Sequence, residues 1–129
     1  MKKLFRSKRS NTVNKSEVES HKTTTLKDFY EAGLNKPFNF VSEKEAVEDM
    51  AGLIGVFVAA DSNSAERVVA ITTAGQYMGC IKSPEIYNGF ARLFNRICES
   101  KETQRLVLSD EEKRFCMMAA TGRFYKPYW

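Results

Sequence analysis

Residues 83–100, "SPEIYNGFARLFNRICES", carry the clearest structural signal in the chain. Ser83 is suited to the N-cap of a helix, Pro84 to the first helical position, and Glu85 complements the helix dipole. Behind them the apolar residues recur at steps of three and four, which is the period of one helix face. They are Ile86, Tyr87, Phe90, Leu93, Phe94 and Ile97. The stretch therefore predicts an amphipathic helix with one face on a hydrophobic core.

One more helix is predicted after this segment. In "SDEEKRFCMMAAT", Ser109 and Glu112 have the spacing of a capping box, in which each side chain accepts a hydrogen bond from a backbone N–H at the helix start. Gly122 is suited to end the helix, because glycine readily adopts a positive φ. The inward side is expected to consist of Phe115, Cys116, Met118 and Ala119.

Two helices are predicted before residue 59. "TLKDFYEAGLN" begins with Thr25 as N-cap and has Asp28 in its first turn. A connection follows in which Phe38 and Phe40 are expected to lie on the core. Ser42 and Glu45 then form a second capping-box pattern, and the helix behind them is apolar almost all round, so it should be the most buried one. Its apolar positions are Val47, Met50, Ala51, Ile54, Phe57 and Val58.

Residues 62–82, "SNSAERVVAITTAGQYMGCIK", allow two interpretations. Apolar residues at helical intervals, with Ser64 as N-cap, favour a helix. The β-branched run "RVVAITT", facing "IGVFVAAD" across "SNSA", also fits a β-hairpin within residues 53–75. The helix is preferred. The predicted fold class is therefore mainly α, a compact single-domain bundle of about five helices, with an α+β fold as the alternative.

Charge divides the chain near residue 24. Residues 1–24 hold seven lysine and arginine residues against two glutamates, a net charge of +5, whereas the other 105 residues hold 13 basic and 14 acidic residues. The first stretch also has too few apolar residues to offset the entropy cost of ordering it. Three parts are predicted: a flexible basic arm at 1–24, a helical domain at 25–121 and an aromatic C-terminal extension at 122–129.

Residue types with catalytic or metal-binding chemistry are sparse. The one histidine, His21, lies in the predicted arm, which disfavours Ser-His-Asp and Cys-His catalysis. The acidic clusters at 45–49 and 110–112 lie at predicted helix starts, where the dipole favours carboxylates. The glycines of "AGLIG" fit no phosphate-binding motif. We predict that the protein is not an enzyme and has no cofactor or metal site.

The cysteines and the apolar runs indicate a location. Cys80, Cys98 and Cys116 are odd in number and widely spaced, which favours buried free thiols in a reducing compartment. The longest strongly apolar stretch, residues 50–60, is shorter than the roughly 20 residues that span a bilayer. A cytoplasmic location is expected.

Two segments indicate binding. The arm could neutralise the phosphates of a nucleic acid, adhere to an anionic membrane surface, or act only as a solubilising tail. Its candidate binding residues are Lys2, Lys3, Arg6, Lys8 and Arg9. The second segment is "GRFYKPYW", residues 122–129, whose large rings are Phe124, Tyr125, Tyr128 and Trp129. Four such rings cover about 600–1,000 Å², so we expect them to pack on the chain's own core, on a second subunit or partner, or on nucleic-acid bases.

This layout, with a basic arm, a helical body and an aromatic extension, resembles that of small viral nucleocapsid or matrix-type proteins. The preferred hypothesis is a non-enzymatic binding and assembly protein that uses the arm on nucleic acid and the aromatic extension for packing or self-association. Two alternatives stay open. One is a small regulatory or adaptor protein that binds another protein through its helical surface, and the other is a peripheral protein of anionic membrane surfaces.

Overall fold

A computed structural model of the chain describes residues 24–100 and 105–125. These residues form five α-helices and a short 3-10 helix, and they contain no β-strand. The elements are α1 (Leu26–Leu34), α2 (Glu43–Val58), α3 (Ser64–Met78), α4 (Pro84–Glu99), α5 (Asp110–Ala120) and the 3-10 helix Arg123–Tyr125. The prediction of an all-α bundle is confirmed, and the alternative hairpin is wrong because residues 64–78 form a continuous helix.

The hydrophobic core is built mainly from α2, α3 and α4. Its largest fully buried side chains are Val47, Met50, Ile54, Ile71, Met78, Phe90, Phe94 and Ile97. The apolar stripe predicted for α4 therefore lies in the core, apart from Tyr87, which is 38% exposed at its edge. Helix α2, predicted to be the most buried, contributes Val47, Met50, Ile54 and Phe57 to this core.

Helices α1 and α3 are in backbone contact at two glycines. A Cβ atom at Gly75 would lie 2.5 Å from the carbonyl oxygen of Tyr30, and one at Gly33 would overlap the carbonyl oxygen of Thr72. Side chains of any size at these positions would hold the helices apart. The glycines thus allow α1 to lie directly on α3 and bury Leu26 and Tyr30.

The end of α2 is capped by residues that come much later in the chain. The backbone N–H of Leu106 donates to the carbonyl oxygen of Phe57 at 2.8 Å. The Nε of Arg105 donates to the carbonyl oxygen of Val58, also at 2.8 Å. The last turn of α2 has no basic residue of its own, so Arg105 supplies the cation that is favourable at the negative end of a helix dipole.

The starts of the helices differ from the predictions in three places. The N-cap of α3 is Asn63 rather than Ser64, because Glu66 lies three residues after Asn63 and completes a capping box with it. At α2 only the Ser42 half of the predicted box forms, with the Glu45 N–H donating to Ser42 Oγ at 3.2 Å. The side chain of Ser83 forms no capping hydrogen bond at the start of α4. The backbone N–H of Ser83 donates to Glu43 Oε2.

Besides Tyr87, two predicted core residues are exposed. Phe40 is 81% exposed, because Phe38 already occupies the space beside Tyr77 with ring centroids 5.0 Å apart. Met118 is 38% exposed, and the inward side of α5 consists of Ala119 with the half-buried Phe115 and Cys116. The other predicted features of α5 are confirmed, since Ser109 and Glu112 form the capping box and Gly122 has a φ of +69°.

Candidate interaction surfaces

A groove runs along α4 and α5 and is called the α4–α5 groove below. It consists of two adjoining cavities of about 570 and 350 Å³, which share Gly89, Arg92 and Phe115. The larger cavity extends along α4 to Glu99, and the smaller one reaches Phe124 in the 3-10 helix. Volumes of this size fall in the range of ligand-binding pockets.

The floor of the groove is the ring of Phe115. It lies so close to the backbone of Gly89 that a Cβ atom there would be 2.5 Å from the ring Cζ. The ring also makes an edge contact with Phe90, with centroids 4.9 Å apart, and a tilted contact with Phe124 at 5.4 Å. Aromatic pairs in such geometries contribute about 0.5–1.5 kcal/mol each beyond their burial. Phe115 thus attaches α5 to α4 while leaving one side open to the groove.

An ion pair between Arg96 and Glu112 forms part of the wall of the larger cavity. Arg96 donates from Nε to Glu112 Oε2 at 3.0 Å and from Nη2 to Glu112 Oε1 at 2.6 Å, and Nη2 also reaches the Val107 carbonyl oxygen. Partial burial by itself raises the pKa of Glu112. Hydrogen bonds from Arg96 and Ser109, together with the charge of Arg96, outweigh this effect, and the pKa of Glu112 is lowered.

Arg92 lies where the two cavities meet. Its side chain is exposed and, unlike Arg96 one turn later, forms no hydrogen bond or ion pair with any part of the described body. The smaller cavity therefore combines two aromatic rings, Phe115 and Phe124, with a guanidinium group that is available to a ligand. Such a group can bind an anion or the face of an aromatic ring.

The first two rings of the aromatic extension lie on the chain's own body. Phe124 contacts Phe115, and the Tyr125 hydroxyl donates to Glu43 Oε2 at 2.9 Å. Burial and the neighbouring carboxylate both raise the pKa of Tyr125. The chain reaches this position through Gly122, where a Cβ atom would lie 2.8 Å from Glu48 Oε2. Tyr128 and Trp129 lie outside the described residues.

A second concave surface lies between α2 and α3 and is called the α2–α3 surface. Its cavity of about 390 Å³ is lined by Leu53, Val56, Ala65, Glu66, Val69 and Ala70. Val69 is 64% exposed, and Gly52, one turn before Val56, has open space where a Cβ would be. The carboxylate of Glu66, the only charged lining residue of this cavity, accepts a hydrogen bond from the Asn63 N–H. The α2–α3 surface is therefore apolar and open.

The residues predicted to bind nucleic acid or an anionic surface lie outside the described residues. They are Lys2, Lys3, Arg6, Lys8 and Arg9. The described body itself holds 11 basic and 13 acidic residues. The structure therefore brings Phe124 and Tyr125 together on the body, but it gives no position for the basic group.

The three cysteines are free thiols. Cys80 is buried and its Sγ donates to the Phe38 carbonyl oxygen at 3.4 Å, whereas Cys98 and Cys116 are half-buried. Burial raises the pKa of all three thiols, to about 11 for Cys98 and Cys116. They are therefore protonated at neutral pH, and the thiolate is the reactive form.

Two further observations concern the described ranges only. Residues 24–100 and 105–125 contain no group of three or more His, Cys, Asp and Glu side chains placed to hold a metal ion. None of the helices formed there is long and apolar enough to cross a bilayer.

Comparison with known proteins adds no identity. The chain matches no protein-family model, no curated protein and no solved structure. We therefore infer function from the residues and their geometry alone.

Several lining residues of these surfaces were not singled out from the sequence, among them Gly89, Arg92 and Val69. A signal for Gly89 was present, because a glycine inside an otherwise strong amphipathic helix often marks a close approach of another element. Arg92 and Val69 had no signal, since an exposed arginine and a single exposed valine on a helix are ordinary. Only the packing of α5 on α4, and of α3 on α2, makes them lining residues.

Proposed function

We propose that the protein is a non-enzymatic assembly protein that binds nucleic acid through residues 1–24 and associates with a second copy through the α2–α3 surface. One observation carries the proposal: a net charge of +5 in residues 1–24 beside a body with slightly more acidic than basic residues. A cationic segment of this kind can neutralise phosphates without a fixed geometry. The layout resembles that of small viral nucleocapsid or matrix-type proteins.

The salt dependence of binding is the quantity that this electrostatic mechanism determines. On a single-stranded nucleic acid, the logarithm of the binding constant falls with the logarithm of salt concentration by about 0.7 per neutralised phosphate. Five contacts from the arm therefore give a slope of about −3.5. A protein that bound through apolar or hydrogen-bonding contacts alone would show a much smaller slope.

The test compares two variants of the full chain that lose the same charge. In the arm variant, glutamine replaces Lys2, Lys3, Arg6, Lys8 and Arg9. In the body variant, glutamine replaces the exposed residues Lys27, Lys36, Lys82, Lys113 and Arg123. Binding to labelled single-stranded RNA and DNA is measured by fluorescence anisotropy at several salt concentrations.

We expect the arm variant to lose most of its affinity and most of its salt slope, while the body variant keeps both. Equal losses in the two variants would contradict the proposal, because they would report net charge rather than the arm. Absence of binding by the unchanged chain would also contradict it. If the same arm variant instead loses binding to vesicles with acidic lipids, and no variant binds nucleic acid, the membrane alternative replaces it.

The α2–α3 surface supports self-association. Its apolar lining includes Leu53, Val56 and Val69, and its only charged lining residue already accepts a hydrogen bond within its own helix start. Two copies can therefore meet through this surface about a two-fold axis, with apolar side chains of both copies in contact and Glu66 as the only charged lining residue of the cavity. The open positions Gly52 and Gly55 beside it allow a neighbouring backbone to come close.

Analytical ultracentrifugation of the Val69→Lys and Val107→Lys variants measures the dimer dissociation constant of each. Both valines are exposed, at 64% and 76%, but only Val69 lines the α2–α3 surface. We expect Val69→Lys to raise the dimer dissociation constant about tenfold or more, because each copy would place a long charged side chain in a mainly apolar contact. Val107→Lys should leave it unchanged. If the unsubstituted protein is a monomer, self-association is contradicted.

A further inference from the structure

The smaller cavity of the α4–α5 groove is lined by two half-buried aromatic rings. Its volume is about 350 Å³, and the ring centroids of Phe115 and Phe124 are 5.4 Å apart. Gly89 lies against the Phe115 ring, where any larger residue would collide with it, so no side chain of α4 covers the ring at this point. Exposed parts of such rings can pack against a planar ring of a ligand.

Two charged side chains of α4 line the same cavity. Glu85 and Arg92 are seven residues apart, which places them on one face of the helix and about 10 Å apart along its axis. Both are exposed, and neither forms a hydrogen bond or ion pair within residues 24–100 and 105–125. Gly89 and the Phe115 ring lie between them along the helix. The cavity therefore offers a carboxylate at one end, a guanidinium at the other and aromatic rings between.

A nucleotide carries groups that fit all three features. Its base can stack on aromatic side chains. The exocyclic amino group of cytosine donates to a carboxylate, whereas uracil has a carbonyl oxygen at that position, which a carboxylate repels. At the other end of the nucleotide, the phosphate accepts two parallel hydrogen bonds from a guanidinium. A simple anion would use Arg92 but leave the rings and Glu85 without a role.

We propose that the smaller cavity binds one nucleotide whose base carries an amino group. The base packs on Phe115 and Phe124, its amino group donates to Glu85, and its phosphate binds Arg92. The inference rests on the proposed function for the source of the nucleotide, which is a strand held by residues 1–24. Phosphate contacts fix position and base contacts give specificity, so this site would add a base preference to binding that is mainly electrostatic.

Cytidine and uridine monophosphate are matched probes, because their bases differ in the amino group and the oxygen that takes its place. In an NMR titration of the full chain, the backbone amides of α4 and the ring protons of Phe115 and Phe124 report on the cavity. We expect cytidine monophosphate to shift these signals with a dissociation constant about three- to tenfold lower than that of uridine monophosphate, the effect of one hydrogen bond. Nuclear Overhauser contacts between the cytosine protons and both rings are expected as well.

Two pairs of variants assign the charged groups. Arg92→Gln is compared with Arg114→Gln, an exposed arginine of α5 that lines neither cavity. Glu85→Gln is compared with Glu99→Gln, which lines only the larger cavity. We expect Arg92→Gln to raise the dissociation constant of both nucleotides about tenfold or more, and Glu85→Gln to abolish the preference for cytidine. The two control variants should bind as the unsubstituted protein does, and far-UV circular dichroism checks that each variant is folded.

The arm variant separates this inference from the proposed function. It keeps the whole cavity, so we expect it to bind cytidine monophosphate normally while it loses most of its affinity for single-stranded RNA. In the unsubstituted protein, a short oligocytidine strand should shift the same cavity signals as the free nucleotide. If a strand binds through the arm and the cavity signals do not move, this inference fails and the proposed function stands. If the free nucleotide moves them and no strand binds, the proposed function fails and the cavity is a site for free nucleotides.

Three other results would overturn the inference. The first is the absence of shifts in the cavity signals with either nucleotide at millimolar concentration. The second is equal affinity for cytidine and uridine monophosphate, which would remove the role of Glu85. The third is an equal loss of affinity in Arg92→Gln and Arg114→Gln, which would report net charge rather than a contact with the phosphate.

Discussion

At the scale of single residues, Glu112 serves two structures at once, the capping box of α5 and the ion pair with Arg96. We predict that Glu112→Gln lowers the free energy of unfolding by about 1 kcal/mol at neutral pH. Because the pKa of Glu112 is lowered in the folded chain, its contribution is complete above the unfolded pKa, about 4.3, and is lost as the pH falls through the folded value. The difference between the two proteins should therefore shrink toward zero in acid.

Urea unfolding of both proteins across the acidic and neutral range measures this difference. The control is Glu111→Gln, since Glu111 is exposed and is not part of the Arg96 ion pair. That substitution should lower stability less than Glu112→Gln does, because it removes only the interaction of Glu111 with the helix dipole. A Glu112→Gln effect that stayed constant from neutral to strongly acidic pH would show that the ionised carboxylate is not what stabilises the fold.

The same residues show what a sequence can predict at this scale. The Ser109–Glu112 box was predictable because both partners lie within one turn and their spacing is fixed by helix geometry. Arg96 was not predictable as a partner, since it lies 16 residues away and meets Glu112 only through the packing of α5 on α4. The predicted N-cap of α3, Ser64, is one residue too late. The spacing of Asn63 and Glu66 is that of a capping box and indicates the correct N-cap.

At the scale of elements, the contact of α1 with α3 depends on Gly33 and Gly75. We predict that Gly75→Ala destabilises the protein by about 1–3 kcal/mol, because the added methyl group meets backbone atoms of α1 that cannot rotate away. Gly52→Ala is the matched change, since Gly52 lies inside α2 with open space around it. At a protein concentration at which the chain is monomeric, it should stabilise the protein by about 0.5–1 kcal/mol, the ordinary gain from replacing a helix-interior glycine with alanine.

Thermal or urea unfolding measures the free energy of unfolding of the two alanine variants relative to the unsubstituted protein. If both substitutions stabilised the protein, α1 would not be in backbone contact with α3. If both destabilised it, the surface of α2 around Gly52 would be covered, for example by a second copy, and dilution would then remove the effect at Gly52 only.

The elements themselves were largely predictable, and their contacts were not. Each of the five helices carries a start signal and a three-to-four apolar period, and these are local properties of the sequence. Gly33 and Gly75 belong to different helices, and neither period indicates that they face each other. The exposure of Phe40 was missed for a similar reason, because it depends on the space that Phe38 and Tyr77 already fill.

At the scale of the whole molecule, three thiols report on the opening of the fold. Cys80 follows α3, Cys98 lies in α4 and Cys116 in α5, and burial raises the pKa of each. We predict that a thiol reagent at mildly alkaline pH labels all three slowly in the folded protein, because the thiolate is scarce and the sulfur poorly accessible. If the domain unfolds cooperatively, the three labelling rates should rise together with urea.

Mass spectrometry of the labelled peptides resolves the three positions. The unfolded chain in concentrated urea supplies the reference rate for each cysteine. Rapid labelling of Cys116 alone would contradict a single cooperative unit and would show that α5 opens separately, in spite of Phe115 and the Arg96–Glu112 pair.

The division of charge is also a property of the whole molecule, and it follows from the order of the residues alone. Counting lysines and arginines suffices to locate the excess charge in residues 1–24. The α4–α5 groove and the α2–α3 surface do not follow from the order of the residues alone, since each combines side chains from two helices. A period of three or four residues tells which face of a helix is buried, but it does not tell which exposed residues will share a cavity.

The cap on α2 has a consequence for the time course of folding. Arg105 is 47 residues beyond Val58, the residue whose carbonyl oxygen it satisfies. On a ribosome that adds about 5–20 residues per second, the last turn of α2 is made roughly 2–9 s before its cap exists. During that interval the first three helices can associate through their apolar faces, but the end of α2 stays frayed. The last turn of α2 is therefore capped late in folding, when Arg105 and Leu106 pack against the end of this helix.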